Sequence, residues 1–460
     1  MSQISIVKLS EVEKDGRFDA EFYKPEYLID KEKLQRIETI TFSQVIKKII
    51  GGPMGFHLHT SDYQKEGIKL LEGNKLEEFF LNNLRDYKFI SLKKHLELNK
   101  SQVKEGDIIL SKAGRVGEVS IIPNNFGEAN LNQALSIIRL KEGISNILIS
   151  IYLKSHYGNS YFKRYGSRAV QEDLKMSEIE IMPIPLKLLQ NLQEKIETLV
   201  KDSYSKLQKS KSLYKEAEEI LLKELNLENY KPKHELTFGA NLKEVIDAER
   251  IDPDYFQPKY KEIEKRIEEY KGGFDLIKNQ FKQNKSLERK EKEFYNYIEI
   301  SDINPSTCEI IPNKINLKDI PDNGKRKLKK GDLLISKVRP YRGAVSFIDF
   351  NDENLLGSGA FTTLQEKANY KKEVLMVFLR IEFIKDFLLR YNCGTSYPVI
   401  KDEDILNLKI PLLSSSIQNK ISEKIQESFK LRKESKELLE KAKKMVEDEI
   451  EKESIKKNKY

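Results

Sequence analysis

Residues 106–112 read GDIILSK, and residues 331–337 read GDLLISK. In both, a Gly-Asp turn launches a brief apolar run that ends on Ser-Lys, the pattern of a short strand between turns. The copies lie 225 residues apart in a chain of 460. They belong to a longer diagonal. Upstream, RFDAEFYKPEY (Arg17 to Tyr27) matches RIDPDYFQPKY (Arg250 to Tyr260), each behind a similar lead-in, SEV at Ser10 and KEV at Lys243. Downstream the offset becomes 226 and holds. Gly117 matches Gly343, Ala134 matches Ala360, and Arg164-Tyr165 matches Arg390-Tyr391. LKMSEI from Leu174 then matches IKDEDI from Ile400, and IPL at Ile184 matches IPL at Ile410. A register held this long marks a duplicated unit of roughly 230 residues, far longer than any solenoid repeat.

Each unit repeats one order of elements. A lead-in of acidic and aromatic residues is followed by short β-like runs, DIILSK and VSII in the first half, DLLISK and AVSFI in the second. A helical passage comes next (ISNILISIYLKSHYGNSYFKRY; YKKEVLMVFLRIEFIKDFLLRY), and IPL closes the globular part. The fold class is therefore α+β, a tandem duplication of a mixed α/β globular domain.

A long charged segment free of Pro and Gly ends each unit. From Gln193 its apolar and small positions are Ile196, Leu199, Ser203, Leu207, Ser210, Tyr214, Ala217 and Leu221. From Gln418 they are Ile421, Ile425, Ser428, Leu431, Ser435, Leu438, Ala442 and Met445. This three-and-four spacing predicts helices of about thirty residues, or about 45 Å. Stripes so thin and serine-lined are marginal alone but can bury one another as an antiparallel coiled coil with a domain at each end. The alternative is that each helix folds back on its own domain. The expected boundaries are a first domain over 1–187, a spacer helix over 188–230, a second domain over 231–413 and a final helix over 414–460. Lys231 to His234 (KPKH) marks the break.

Composition narrows the function. Hydrophobic residues at 39% and charged residues at 33% describe a soluble globular chain. No apolar run approaches the roughly 18 residues of a membrane span, and the start MSQISIVKLSEVEKDG has no signal core. Cys308 and Cys393 form no CxxC, which fits a reducing cytoplasm. Net charge is +8, and of 81 basic residues only 16 are Arg. Arg, with its planar fork, is the scarcer and more informative residue where base edges are read.

Catalytic signatures do not emerge. The one Asn-Pro pair, Asn304-Pro305, continues Ser-Thr, unlike the N/D-P-P-Y/F of amino-methyltransferases. Neither GxxxxGK[ST] nor GxGxxG occurs. Gly51 to Gly55 (GGPMG) reads as a turn rather than a phosphate cradle. His57 and His59 alternate as metal ligands on a strand do, but they lack a Cys partner, so polar readout from a loop or a plain surface loop fits better. The carboxylates interleave with Lys as on solvated helix faces. What remains is cationic turns: SKAGRVG with Lys112 and Arg115, and SKVRPYRG with Lys337, Arg339, Tyr341 and Arg342. These fit contact with phosphate or guanine, or equally a solvated turn or internal ion pair. Arg168 in GSRAVQ and Tyr397 in GTSYPV invite the same pair of readings.

The duplicated order, the GDLLISK phrases, the ending GTSYPVIKDEDILNLKIPLLSSSIQNKI and the lead-in RFDAEFYKPEY together resemble the specificity subunit of type I restriction-modification enzymes. Where that family has Gly-Thr-x-x-Pro, the first half departs with Arg168-Ala169-Val170-Gln171-Glu172. The resemblance implies two target-recognition domains reading a split site in double-stranded DNA, with two helices as spacer. It implies no catalysis and no cofactor on this chain. Two methyltransferase (M) subunits using S-adenosylmethionine would methylate adenine, and restriction/translocase (R) subunits would use ATP and Mg. Half-sites roughly one duplex turn apart, about 34 Å, and an asymmetric target are expected. A scaffold or decoy without specific readout, and a duplicated-domain nuclease, are the alternatives.

Overall fold

The computed structural model describes residues 4–457 except 56, 77, 82–86, 167–172, 289–291, 322–323 and 395. It divides into two units, Met1–Leu207 with Arg432–Tyr460, and Gln208–Leu431. The boundary cuts both long helices, Gln193–Glu224 and Ser415–Lys456, so each unit holds a segment of each.

In the first unit, Arg17 forks onto Asp19 at 2.6 and 2.7 Å and lies 4.7 Å from the Phe22 ring. Pro25 opens helix Pro25–Gln35, where a missing N–H costs nothing. Arg164 covers the buried Phe22 ring at 4.1 Å and donates to the Phe22 carbonyl at 3.0 Å. The second unit repeats the device. Arg250 forks onto Asp252 at 2.8 and 2.7 Å and lies 4.7 Å from Tyr255, and Pro258 opens helix Pro258–Glu268. Arg390 pairs with Glu264 and also stands 4.7 Å from Tyr255. The R-x-D and R-Y motifs, more than a hundred residues apart, therefore clamp one aromatic between two guanidiniums.

The β-rich part is two four-stranded sheets per unit. One is antiparallel, in the order Ile46–Gly51, Leu135–Leu140, Ile108–Ser111, Val119–Ile121 in the first unit. Its counterpart is Phe281–Gln283, Phe361–Glu366, Leu333–Ser336, Val345–Phe347. The other sheet is mixed, with Ile68–Leu71 parallel to Ala129–Leu131, and Phe294–Ile298 parallel to Leu355–Gly357. The IPL motif pairs Ile184 with Ile40 and Ile410 with Asp275, which returns each chain to the start of its own domain. The helical passages become Asn146–Lys154 with His156–Gly166, and Lys372–Arg380 with Glu382–Phe387.

The GD phrase forms one of the two inner strands of the antiparallel sheet, Ile108–Ser111 or Leu333–Ser336, and that strand is buried along its whole length. Its glycines, Gly106 and Gly331, sit at φ +79° and +92°, a region that side chains disfavour. The aspartates are buried as well, but their partners differ. Asp107 receives the Arg139 fork at 2.8 and 2.9 Å. Gln365 stands at the equivalent position in the second unit and gives Asp332 a neutral bond at 2.7 Å, beside Asn284 at 2.9 Å. Burial pushes the Asp332 carboxyl above its ordinary pKa despite these bonds.

The serine stripes do pair. In the first unit the Ser203 and Ser435 hydroxyls meet at 2.9 Å, and Ile196 and Val200 share a core with Ala442, Val446 and Ile450. In the second, Ser210 meets Ser428 at 3.0 Å, and Ala217 and Leu221 share a core with Ile421 and Ile425. Numbers rise along one segment as they fall along the other, so the pairing is antiparallel in both units. The Ser203 and Ser210 hydroxyls also donate to the facing backbone carbonyls of Ser435 and Ser428, both at 2.8 Å, which only a small residue at close approach allows. Among the described residues no helix is long and apolar enough to cross a membrane.

An aspartate whose folded pKa is raised stabilises the fold fully only below its unfolded pKa, and that contribution is lost as pH rises through the folded value. Gln365→Arg, which imports the Arg139 pairing, is expected to stabilise the second unit by about 1 kcal/mol at pH 7. The gain should be lost in acid, at a pH where the Asp332 carboxyl is protonated. Thermal unfolding at both pH values checks this, and an equal shift at both contradicts it.

Candidate nucleic-acid interface

In both units the strand of the GD phrase ends in one backbone clamp. The Lys112 N–H donates to the Ala134 carbonyl at 2.8 Å, and the Lys112 carbonyl accepts from the Leu174 N–H at 2.8 Å. Lys337 bonds Ala360 and Ile400 in the same way at 2.9 and 3.0 Å. One residue on, Ala113 bridges Asp173 and Val338 bridges Val399. Ser111 and Ser336 turn their hydroxyls onto the carbonyls of Ala113 and Val338, at 3.2 and 2.8 Å. The facing turn repeats too: Asn132 Oδ1 and Ser358 Oγ accept from the N–H of Ala134 and Ala360, at 3.1 and 3.2 Å. Each unit thus brings together the cationic turn after the GD phrase, the turn before Ala134 or Ala360, and the segment that follows the variable loop.

On the first unit this frame borders an open cleft of about 570 Å³ lined by Met54, Lys112, Gly114, Gln133, Asp173 and Met176. Gly52 makes room for it. A Cβ there would stand 1.8 Å from the Asn132 carbonyl oxygen, so only glycine lets the chain pass under the Asn132–Gln133 turn. GGPMG is accordingly a strand end and a close backbone approach. Among the described residues no carboxylate pairs with the half-buried Lys112, while Arg115 is exposed.

On the second unit the clamp presents more charge. Arg339 occupies the position of Gly114 and keeps its left-handed backbone, φ +49° against +78°. For a residue with a Cβ that costs about 1–3 kcal/mol, and the following Pro340 removes the helical alternative. Its N–H donates to the Pro398 carbonyl at 2.8 Å, and its guanidinium lies 5.6 Å from the Tyr397 ring. Arg342 is exposed, as are Tyr341 at 39% and Tyr397 at 47%. Lys337 is the exception, 3.2 Å from Asp402. Burial pushes the Asp402 carboxyl up, but the Thr362 hydroxyl and the Lys337 ammonium outweigh it and hold it below the usual range. Lys337 thus follows the ion-pair reading. Met176 stands where Asp402 does, which leaves Lys112 without the equivalent acid.

Beneath this turn lies Arg380. It donates to the Gly343 carbonyl at 2.6 Å, the Pro305 carbonyl at 2.6 Å and the Tyr214 hydroxyl at 2.7 Å. It therefore ties the end of the Arg339–Gly343 turn to the long helix. Its counterpart Lys154 donates one hydrogen bond, 3.0 Å to the Val119 carbonyl, and stands 3.8 Å from Glu118; burial pushes its pKa down.

His57 and His59 lie on an exposed loop, His57 one hydrogen-bonded turn (2.8 Å) from Met54 at the cleft. Lys94 fastens that loop through the His57 carbonyl at 3.3 Å and Asp62 at 3.4 Å. Among the described residues no group of His, Cys, Asp and Glu is placed to hold a metal. Arg168 lies outside the described residues. Sequence reasoning missed Gln133, Asp402 and Arg380. Their signal was the difference between the copies at matched positions.

A family model for the type I restriction modification DNA specificity domain matches residues 271–441. This stretch is similar to that family's DNA specificity domain. Over 121 residues the chain is 31% identical to the Type I restriction enzyme HindI specificity subunit of Haemophilus influenzae, covering 25% of each chain. Over 128 residues it is 31% identical to the MjaVIII specificity subunit of Methanocaldococcus jannaschii, covering 26% of this chain and 30% of that one. The matches thus span about a quarter of the first curated relative. The crystal structure of a type I restriction-modification system S subunit from M. genitalium aligns with 91% of this chain and 95% of its own, at 14% identity and a TM-score of 0.42. Outside the matched residues, the first unit repeats the backbone clamp of the matched stretch.

Arg380→Ala strips donors from two backbone carbonyls and is expected to cost the second unit about 2–4 kcal/mol. Arg380→Lys, which imitates Lys154, should cost less. Unfolding of the full chain with limited proteolysis around residues 339–343 checks both. An Arg380→Ala variant as stable and resistant as the parent contradicts the assignment.

Proposed function

We propose that this chain is the DNA-recognition subunit of a type I restriction-modification enzyme, its two units reading the two parts of an asymmetric, bipartite site. The observation that carries this reading is the duplicated clamp. One hydrogen-bonded frame occurs twice, and it presents different side chains each time. A catalytic duplication would repeat its reactive groups, whereas a reader of two different sequences repeats its scaffold and varies what the scaffold holds up.

In this reading the paired helices set the spacing between the two stretches of DNA. At 1.5 Å per residue, the 32-residue helix Gln193–Glu224 is about 48 Å long, enough to span more than one duplex turn. The chain breaks no bond. It positions two methyltransferase subunits that methylate adenine with S-adenosylmethionine, and restriction subunits that use ATP and Mg. The assembly works in the cytoplasm on double-stranded DNA.

Arg115, Arg342 and Lys112 contribute phosphate attraction, which displaces counterions and makes affinity salt-dependent. Binding of the assembled complex to DNA carrying its own methylation motif should weaken roughly 1000-fold or more between 50 and 200 mM salt, for about six phosphate contacts. Footprinting should show two protected segments of different sequence. A flat salt response, or equal protection of unrelated DNA, overturns the proposal.

A further inference from the structure

We infer that Gln133 and Arg339 are reciprocal base readers: Gln133 selects an A·T pair for the first unit, and Arg339 selects a G·C pair for the second. The inference rests on the function proposed above and names the residues that give it sequence preference.

Matched positions supply the argument. The Lys–Ala clamp is flanked by two turns in each unit, and in each turn one matched position carries a side chain in one copy and glycine in the other. After the GD phrase these positions are Gly114 and Arg339; in the facing turn they are Gln133 and Gly359. The backbone is the same at each. Gly114 and Arg339 are both left-handed, and the facing turns are both closed by a side-chain oxygen, of Asn132 or Ser358. Where one unit carries a side chain, the other carries glycine. At these two matched positions each frame thus carries one side chain, on opposite sides of the clamp.

The two readers are free to act. Gln133 is exposed at the cleft beside Lys112, and among the described residues its amide makes no hydrogen bond. Gly52 is required beneath it, as only glycine admits that turn. Arg339 has no carboxylate partner among the described residues. It is steered only by its backbone bond to Pro398 and by the Tyr397 ring. Its strained backbone would relax with glycine, which the first unit has, so fold stability does not account for arginine there. A glutamine amide matches N6 and N7 of adenine in the major groove, and an arginine fork matches O6 and N7 of guanine.

Methylome sequencing of cells carrying the whole system, with this chain intact, deleted, Gln133→Gly or Arg339→Gly, tests the assignment. Each substitution places in one unit the residue the other already has on the same backbone, so both chains should fold. Arg339→Gly should unfold at or above the parent temperature. Gln133→Gly is expected to relax one A·T position in one half of the motif, and Arg339→Gly one G·C position in the other half. Discrimination at each should fall roughly 5- to 150-fold. An unchanged motif, relaxation at any other kind of base pair, or loss of all methylation without a relaxed motif overturns the inference and leaves the subunit's role standing. Methylation that survives deletion of the chain overturns the role itself.

Discussion

A single backbone hydrogen bond, from the Lys112 or Lys337 N–H to the Ala134 or Ala360 carbonyl, holds the reading face of each unit together. Each strand leaves the sheet at this bond, which ties the cationic turn to the facing turn. It is doubled by the return bond from Leu174 or Ile400. A loop held at both flanks loses little freedom when it meets a ligand, so its side chains can be exchanged while the frame remains. In the proposed function, that separation of frame from reader would let one fold serve two sequences.

The helices impose a second constraint, on register. A leucine stripe would have buried more apolar area, yet the contact carries Ser203 with Ser435 and Ser210 with Ser428. A hydroxyl that must meet both a facing hydroxyl and a facing carbonyl tolerates no slip along the helix, whereas leucines tolerate several. We read the serines as giving up some stability for a defined alignment of the two helices.

Much of this was legible in the sequence, because it is local and occurs twice. The GD phrase announced its strand, IPL its closing pair, and the serine-lined stripes their antiparallel partner. Arg17 and Arg250 look like ordinary cations until their aromatic neighbours are seen. The site was read less well, for a physical reason. Charge drew attention to the lysines, but Lys337 is neutralised by Asp402, a partner sixty-five residues away that no local pattern marks. Gln133 is uncharged and sits in an unremarked NLNQALS, and Arg380 ends a run that reads as core helix. What these residues do depends on tertiary neighbours. Only subtraction of one repeat from the other makes them visible without coordinates.

Ultraviolet crosslinking of the assembled complex to bromouracil-substituted DNA bearing its methylation motif, with the linked peptides read by mass spectrometry, would locate the contact surfaces. Crosslinks should fall in both units, on peptides around residues 112–117 and 133 and around residues 337–343 and 397. Crosslinks confined to one unit, or to the lead-in helices Leu9–Asp15 and Leu242–Ala248, would contradict two faces reading DNA from a shared frame.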